Sequence, residues 1–163
     1  MAIARSLKRY LNDRNVQYEL VPHPRSYSSL ESAHKAHVPE HQVAKAVVLE
    51  DEHGYVVAVV PSMNHLDLGW IETTLGRHMK LADEAELPDL FGDCEPGAVP
   101  AFSRAYGVDV VWDDQFRGEP HVYIEAGDHE HLIHIRGEAF DRLMAGMPHS
   151  VISAKREYSE WTR

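Results

Sequence analysis

The clearest pattern of apolar positions is the run Val43-Ala-Lys-Ala-Val-Val-Leu49, which has the length of a β-strand. Two-residue alternation places Lys45 on the same face as Val43 and Val47. Both faces are otherwise apolar, which is typical of a strand covered on both sides. An ammonium buried there without a partner is costly. Lys45 therefore either extends its ammonium to solvent at the strand end or lines a cavity that accepts an anion.

The positions around this run alternate between helical and strand periodicity, with turn residues between the segments. Helical spacing of apolar residues predicts helices over residues 2–14, 29–37, 68–75, 83–91 and 137–144. Two-residue alternation predicts strands over residues 16–20, 43–50, 55–61, 79–82, 108–112, 121–125 and 131–135. Hairpins mixed with helices in this way predict an α+β domain with a mixed, mostly antiparallel sheet.

Two long segments lack either periodicity. Residues 92–107 form a predicted loop, and a loop of this length inside a domain is often functional. Residues 147–163 form a polar C-terminal tail whose strong apolar residue is Trp161, so we expect this tail to pack loosely or to fray. Residues 1–146 are predicted to form a single domain, because a chain of 163 residues is too short for two ordinary domains.

The amino-acid composition argues against several classes of protein. The 26 acidic and 16 basic residues give a formal charge of −10, which argues against broad, charge-driven binding of DNA or other nucleic acid. A local basic patch that holds one end of a nucleic acid is compatible with this charge. No apolar run is long enough for a transmembrane helix, and the single Cys94 excludes an internal disulfide. A cytoplasmic protein that does not contact a membrane is the simplest expectation.

The chain has 12 histidines, which raises the question of a metal site. The candidate ligands lie in two groups: His34, His37 and His41, and His129, His131 and His134. Pro39 breaks the helix that would align the first group, and strand geometry turns the last histidine of the second group away from the other two. The sequence therefore predicts neither a metal site nor a bound cofactor.

Motifs of the common hydrolases are absent, including the nucleophile elbow, the P-loop and the paired-cysteine zinc motif. Cys94 lies between Asp93 and Glu95, which would raise the pKa of its thiol, so a thiolate nucleophile is not expected. His129, at a predicted turn, is either a hydrogen-bond donor or weak base at a site, or a solvated turn residue.

Several segments, in order and spacing, resemble the YbaK family of aminoacyl-tRNA editing proteins, which are related to the domain inserted in bacterial prolyl-tRNA synthetases. The resemblance covers roughly residues 16 to 144. It is carried by Val43-Ala-Lys-Ala-Val-Val-Leu49, Val57-Ala-Val-Val-Pro61, Leu66-Asp-Leu68, Leu75-Gly76, Pro96-Gly-Ala-Val-Pro100, residues 108–113 and Ala126-Gly127. The lysine within its apolar strand and the glycine–proline loop are specific when they occur together.

The resemblance implies a sheet partly curled like a barrel, surrounded by helices, and hydrolysis of the ester that joins a wrong amino acid to the tRNA 3′ end. Lys45 matches the family's functional lysine, which would hold the terminal phosphate–ribose region. The matching loop would supply backbone donors to the scissile carbonyl. Its residues here are Gly97, Ala98, Val99, Pro100 and Ala101. The attacking nucleophile would be a water molecule, oriented partly by the ribose hydroxyl of the substrate.

The sequence departs from the family pattern at two positions. Ala101 occupies the place of the usual loop proline, which affects the expected geometry of the loop. Ala46 follows the lysine where alanine-editing relatives tend to carry asparagine, so the amino acid removed is expected to differ. The resemblance also places His129, in a glycine-x-histidine turn with Gly127, beside the aminoacyl pocket. Two further residues, His23 and Tyr27, are candidates for the same pocket.

Two functions follow as hypotheses. The first is a free-standing aminoacyl-tRNA deacylase, whose partners are the aminoacyl-tRNA 3′ end and, as a candidate, an aminoacyl-tRNA synthetase. The second is a non-catalytic protein of the same fold that binds tRNA, a nucleotide or another protein. If tRNA binds, basic residues should cluster at one pocket mouth despite the negative net charge. The residues expected there are Arg5, Lys8, Arg9, Arg25 and Lys45.

Overall fold

The predicted central hairpin is the core of the computed structural model, which describes residues 3–155. Within these residues the strands are β1 (Glu19–Pro22), β2 (Val43–Asp51), β3 (Gly54–Pro61), β4 (Asn64–Leu66), β5 (Lys80–Leu81), β6 (Asp109–Asp113), β7 (His121–Glu125), β8 (His131–Arg136), β9 (His149–Ser150) and β10 (Ser153–Lys155). The α-helices are α1 (Arg5–Asp13), α2 (Ser29–Ala36), α3 (Leu68–Leu75), α4 (Leu87–Leu90) and α5 (Gly137–Met144). None of these helices is long and apolar enough to cross a membrane.

The main sheet has the order β1-β8-β7-β2-β3-β6-β9, and β5 adds to the far end of β2. Strands β2 and β7, β3 and β6, and β6 and β9 pair in parallel, whereas the other pairs are antiparallel. The predicted α+β domain with a mixed, mostly antiparallel sheet is therefore confirmed. The barrel is not closed, because β1 and β9 are edges of the sheet that do not pair with each other.

Apolar side chains cover both faces of the hairpin, as its sequence predicted. Val48 belongs to the larger core, which packs the sheet against α1 and α5. Its neighbour Leu49 faces the other way, into a smaller core that contains Ile71 of α3 and Ile152. This alternation fixes the register of β2, since a shift by one residue would turn Lys45 toward the larger core.

Polar side chains cap the first turns of α2 and α3. Ser28 caps α2 by accepting a hydrogen bond from the Glu31 amide at 3.1 Å, and Glu31 Oε1 accepts one from the Tyr27 amide at 2.8 Å. Asp67 caps α3 through the Trp70 amide at 3.0 Å. These caps satisfy amides that have no partner within their helices, so they fix where α2 and α3 begin.

Four sequence predictions differ from the structure. The helix predicted over residues 83–91 is a 3₁₀ turn at Glu84–Glu86 followed by the short α4. The first strand lies at Glu19–Pro22, where it pairs with β8, rather than at residues 16–20. Residues 103–106 form a 3₁₀ turn within the predicted loop. The loose packing expected for the tail is wrong for residues 149–155, which form β9 and β10 and bury Ile152 completely. Ile152 packs in the smaller core and holds this segment. Trp161 lies outside the described residues.

Candidate functional site

A pocket opens where two parallel strands stop pairing. Strands β2 and β7 pair at Val43–Tyr123 and Ala44–Ile124, and no further pairs follow. The gap beyond lies at the carboxyl ends of these paired segments, a position where open sheets commonly bind ligands. The pocket has a volume of about 200 Å³ and is lined by Tyr27, Ser28, Ser29, Ser32, Val43, Ala44, Lys45, Ala46, Gly97, Val99, Glu125, His129 and Leu132.

Lys45 lines this pocket and is half-buried. Its ammonium donates a hydrogen bond to the main-chain carbonyl of Asn64 at 2.6 Å. Burial lowers the pKa of Lys45 below its ordinary value. Among the ion pairs of residues 3–155, none includes Lys45, so its charge has a neutral partner but no counter-ion. The sequence left two positions open for the Lys45 side chain, at the strand end in solvent or in the lining of a cavity. In the structure it lines a cavity.

The loop from Gly97 to Ala101 is divided between the pocket and the core. Gly97 and Val99 line the pocket, and Gly97 has a positive φ of 82°, a conformation that favours glycine. The amide of Ala98 donates to Glu95 O at 2.9 Å. Within residues 3–155, the amides of Gly97 and Val99 have no hydrogen-bond acceptor, which makes them candidate donors to a ligand.

The rest of this loop packs away from the pocket. Ala98 and Ala101 are each 1% exposed, and Pro100 is buried beside them. Ala101 belongs to the larger core with Phe102. The departure from the family pattern at position 101 is therefore a change in core packing, whereas the lining residues of the loop are Gly97 and Val99.

His129 closes one side of the pocket. It is 7% exposed, and its Nε2 lies 2.6 Å from the carbonyl oxygen of Pro96. Because a carbonyl only accepts, Nε2 carries the proton and donates, which leaves Nδ1 without a partner among the described residues. The ring lies against Gly97, where an added Cβ would be 3.5 Å from His129 Cε1. The exposed Tyr27 ring lies 6.0 Å from the His129 ring, between centroids.

The turn that carries His129 is held by Glu125, which sequence analysis missed. Glu125 Oε2 accepts hydrogen bonds from the amides of Gly127 at 2.8 Å, Asp128 at 3.1 Å and His129 at 3.2 Å. Three amide donors on one oxygen fix the carboxylate in place. A signal was present in the sequence, because an acidic residue directly before a tight turn finds amides that need an acceptor.

Gly127 is required by a close approach between this turn and the start of α1. Its φ is +117°, and a Cβ there would lie 2.9 Å from the Cβ of Ala4. The Ala4 amide donates to Ala126 O at 2.9 Å. Gly127 thus supports the pocket from behind without lining it, and the same contact places the first residue of α1 beside the site.

Ser29 is a second residue that sequence analysis missed. It is the first residue of α2 and lines the pocket. Its Oγ is buried and has no hydrogen-bond partner within residues 3–155. A buried hydroxyl without a partner is costly, which makes this oxygen a candidate contact for a ligand.

Two other predicted residues lie outside the pocket lining. His23 is 7% exposed, and its Nδ1 donates to Pro24 O at 2.7 Å. Arg25 lies on the neighbouring surface, where its guanidinium contacts Glu95 at 2.7 Å and Glu130 at 3.5 Å. These contacts lower the pKa of Glu95 and neutralise Arg25, so Arg25 does not offer an unpaired charge to a ligand.

Cys94 lies behind the site rather than in it. Its sulfur is 3.2 Å from the Tyr106 hydroxyl, and that hydroxyl donates to Asp93 at 2.6 Å. Burial, assisted by the charge of Asp93, raises the pKa of Cys94 to about 12. The thiol is therefore protonated at neutral pH and is not a nucleophile.

An exposed basic surface lies on α1. Leu7 and Leu11 face the core, while Arg5, Lys8 and Arg9 share the opposite, exposed face of α1. We call these three residues the α1 basic face. None of them belongs to an ion pair among residues 3–155. Of the five basic residues expected at the pocket mouth, Lys45 lines the pocket, and Arg25 is paired with its acidic neighbours. A basic cluster at the pocket mouth therefore stays a prediction.

Among the described residues, no group of three or more histidine, cysteine, aspartate or glutamate side chains is arranged to hold a metal ion. The polar side chains that line the pocket supply an ammonium, a carboxylate, an imidazole, a phenol and the hydroxyls of three serines.

Comparison with known proteins gives two kinds of match. A family model described as an aminoacyl-tRNA editing domain matches residues 23–143, most of the chain. The hypothetical protein APE2540 has a similar structure, with a TM-score of 0.80 at 19% identity over 92% of this chain and 100% of that chain. A proposed trans-editing enzyme for prolyl tRNA synthetase is also similar, with a TM-score of 0.78 at 22% identity over 93% of this chain and 96% of that chain. At these identities the structures show a shared fold, and no curated protein matches by sequence.

Proposed function

The chain belongs to the aminoacyl-tRNA editing domain family, and from this premise we propose that it is a free-standing deacylase of mischarged tRNA. The reaction is hydrolysis of the ester between an amino acid and the 3′-terminal ribose, which releases the free amino acid and intact tRNA. The observation that supports the proposal is that Lys45, His129 and the loop residues Gly97 and Val99 line one pocket of about 200 Å³. This volume suits a single aminoacyl group.

The loop amides of Gly97 and Val99 would receive the carbonyl oxygen of the ester. When water attacks the carbonyl carbon, this oxygen becomes negatively charged, and donors that are already in position stabilise it. Amides without an internal acceptor suit this task, because no hydrogen bond has to be broken first. Gly97 allows the close approach, since it has no side chain between its amide and the substrate.

The attacking water would lose its proton as the carbon–oxygen bond to it forms. His129 Nδ1 is a free acceptor whose tautomer is set by the bond from Nε2 to Pro96 O, and it would orient this water together with a ribose hydroxyl of the substrate. The ester bond then breaks, and the proton given up by the water ends on the leaving ribose oxygen, so that the products are the free amino acid and the tRNA hydroxyl. No covalent intermediate with the protein is required, in keeping with the protonated Cys94 thiol.

Lys45 would hold the terminal phosphate–ribose region of the tRNA. Its half-buried ammonium contacts only the neutral Asn64 carbonyl. An incoming phosphate would supply the missing counter-charge and form a charge-assisted hydrogen bond. The remaining tRNA would extend over the α1 basic face, which starts at the Ala4–Ala126 contact beside the pocket. An aminoacyl-tRNA synthetase that delivers the substrate is a further candidate partner.

A non-catalytic role in binding tRNA, a nucleotide or a protein is the second candidate. It is favoured by one observation: the loop residues Ala98, Pro100 and Ala101 are packed into the protein, so two of the loop amides serve the pocket rather than all of them. A pocket of this kind would bind the 3′ end of a tRNA without stabilising a developing negative charge.

Hydrolysis of a panel of mischarged tRNAs tests the proposal, beginning with alanyl- and cysteinyl-tRNA of the proline type. Wild type should hydrolyse at least one member equally well with and without a chelator. Lys45→Ala should lower kcat/KM by roughly ten- to a hundredfold, the usual cost of a lost charged contact. Lys45→Met keeps the length of the side chain but lacks the charge, and it should lower kcat/KM by a similar factor. Absence of turnover on every charged tRNA would contradict the deacylase and leave the binding role.

A further inference from the structure

The pocket contains one basic and one acidic side chain of opposite charge. Lys45 and Glu125 are the Lys, Arg, Asp or Glu residues among those that line it. The proposed reaction assigns a role to Lys45. Glu125 lies in the same cavity, and its hydrogen-bond partners are the amides of its own turn. A carboxylate in a half-buried pocket costs desolvation energy unless a positive group pairs with it.

Glu125 has one occupied and one free oxygen. Oε2 accepts the amides of Gly127, Asp128 and His129, while Oε1 has no donor among residues 3–155. The nearest basic side chain of the neighbouring loop, Arg25, is already engaged by Glu95 and Glu130. Because Oε2 is anchored by three amides, the carboxylate is held in place at the pocket, where Oε1 is an acceptor without a protein donor.

An aminoacyl ester carries charges that complement this pair. Its α-amino group, attached next to the ester carbonyl, is largely protonated near neutral pH because the ordinary pKa of an α-amine is about 7.7–8.0. The phosphate on the far side of the terminal ribose is negative. A ligand with the phosphate near Lys45 and its carbonyl at Gly97 would place the positive α-ammonium within the same small cavity as Glu125.

We propose that Glu125 Oε1 binds the α-ammonium group of the substrate, so that the pocket selects aminoacyl esters with a free α-amine over N-acylated ones. The inference rests on the proposed function for the identity of the ligand. An N-acylated ester keeps at most one weaker N–H donor and loses the positive charge, so it pairs poorly with a fixed carboxylate. The protein would therefore leave formylated and peptidyl-tRNA intact while it acts on simple aminoacyl-tRNA.

The test is a binding measurement with a matched pair of probes that cannot be hydrolysed. The first probe is 3′-deoxy-3′-(alanylamino)adenosine 5′-monophosphate, and the second is its N-acetyl derivative. Wild type should bind the free amine at least about tenfold more tightly, as expected for a charged hydrogen bond. Glu125→Gln keeps an oxygen for the three turn amides but removes the charge, and it should reduce this ratio to within about twofold.

Glu130→Gln is the matched control, since it removes an equal charge from an exposed residue of the same turn that does not line the pocket. This variant should keep the wild-type ratio. Equal binding of the two probes by wild type, an unchanged ratio in Glu125→Gln, or no binding of either probe would each overturn the inference.

The experiment separates this inference from the proposed function because it does not depend on turnover. A protein that prefers the free amine through Glu125 but hydrolyses no charged tRNA supports the inference and contradicts the deacylase. A protein that hydrolyses aminoacyl-tRNA but binds both probes equally supports the deacylase alone.

Discussion

Two cavities at opposite ends of β2 differ in size and in chemistry: a wide cleft at the hairpin tip and the small pocket at the other end. The cleft has a volume of about 990 Å³, and its charged groups are paired with one another. Asp51 accepts two hydrogen bonds from Arg77, at 2.6 and 2.8 Å. The Tyr55 hydroxyl donates to Glu86, which raises the pKa of Tyr55 to about 12.

The pocket is about one-fifth as large, and several of its polar atoms have no hydrogen-bond partner among residues 3–155. They are the amides of Gly97 and Val99, Ser29 Oγ, Glu125 Oε1 and His129 Nδ1. Of these atoms, Ser29 Oγ is a buried side-chain atom, and a buried polar group without a partner calls for an explanation such as a ligand. Outside the pocket, the buried His23 Nε2 and Trp112 Nε1 also have no partner among residues 3–155. The two cavities therefore differ in kind: the charges of the cleft are paired, whereas the candidate site combines a small volume with unpaired polar atoms.

The largest effect is expected from a side chain placed at the pocket loop. Gly97→Ala should lower kcat/KM for deacylation by up to about a hundredfold, because a shift near 1 Å in a catalytic group has this cost. The same change should lower stability by only about 1–2 kcal/mol, the usual penalty for a positive φ at a non-glycine residue. Steady-state deacylation and thermal unfolding measure the two effects.

Gly118→Ala is the control for this prediction. Its φ of +81° matches the +82° of Gly97, but nothing lies within 4 Å of an added Cβ. It should lose a similar amount of stability and keep its activity. If the two variants lose activity equally, general destabilisation would explain the effect, and the pocket loop would have no special role.

A smaller effect is expected from the α1 basic face. The triple variant Arg5→Gln, Lys8→Gln and Arg9→Gln should weaken tRNA binding and make the slope of log K against log salt shallower by about 2–3, because up to three phosphate contacts are lost. A triple variant of equal charge, Lys80→Gln, Arg117→Gln and Arg136→Gln, should change the slope much less. Equal slopes for the two triples would place the RNA elsewhere.

Much of the fold was predictable because local signals agreed with tertiary packing. The apolar run from residue 43 became β2, and the capping pattern at Ser28 became the start of α2. Both depend on neighbours in sequence, which a periodicity argument can detect. The strand at residues 149–150 was missed because it is short and polar, and it exists only because β6 pairs with it.

The candidate site was predictable only where a residue conflicted with its surroundings or matched a known motif. Lys45 is conspicuous as a charge within an apolar strand, and Gly97 lies in the loop that resembles the family pattern. Glu125 gave a weaker signal, as an acidic residue before a tight turn, and Ser29 gave none, because its hydroxyl is distinguished only by being buried without a partner after folding. That property depends on contacts between turns far apart in sequence, such as Ala4 with Ala126.

The smallest functional effect is expected from the hairpin tip. The Arg77 guanidinium holds the pKa of Asp51 well below its usual range. A carboxyl with a lowered folded-state pKa contributes stability above its unfolded pKa of about 3.9, and this contribution is lost as the pH falls toward the folded value. Asp51→Asn should therefore be less stable than wild type at pH 7, and the gap should shrink as the pH falls below about 4. Urea unfolding across this range measures the gap, while deacylation should change by less than about twofold. A large loss of activity in Asp51→Asn would mean that paired charges at the tip also serve the substrate, and the distinction between the two ends of β2 would fail.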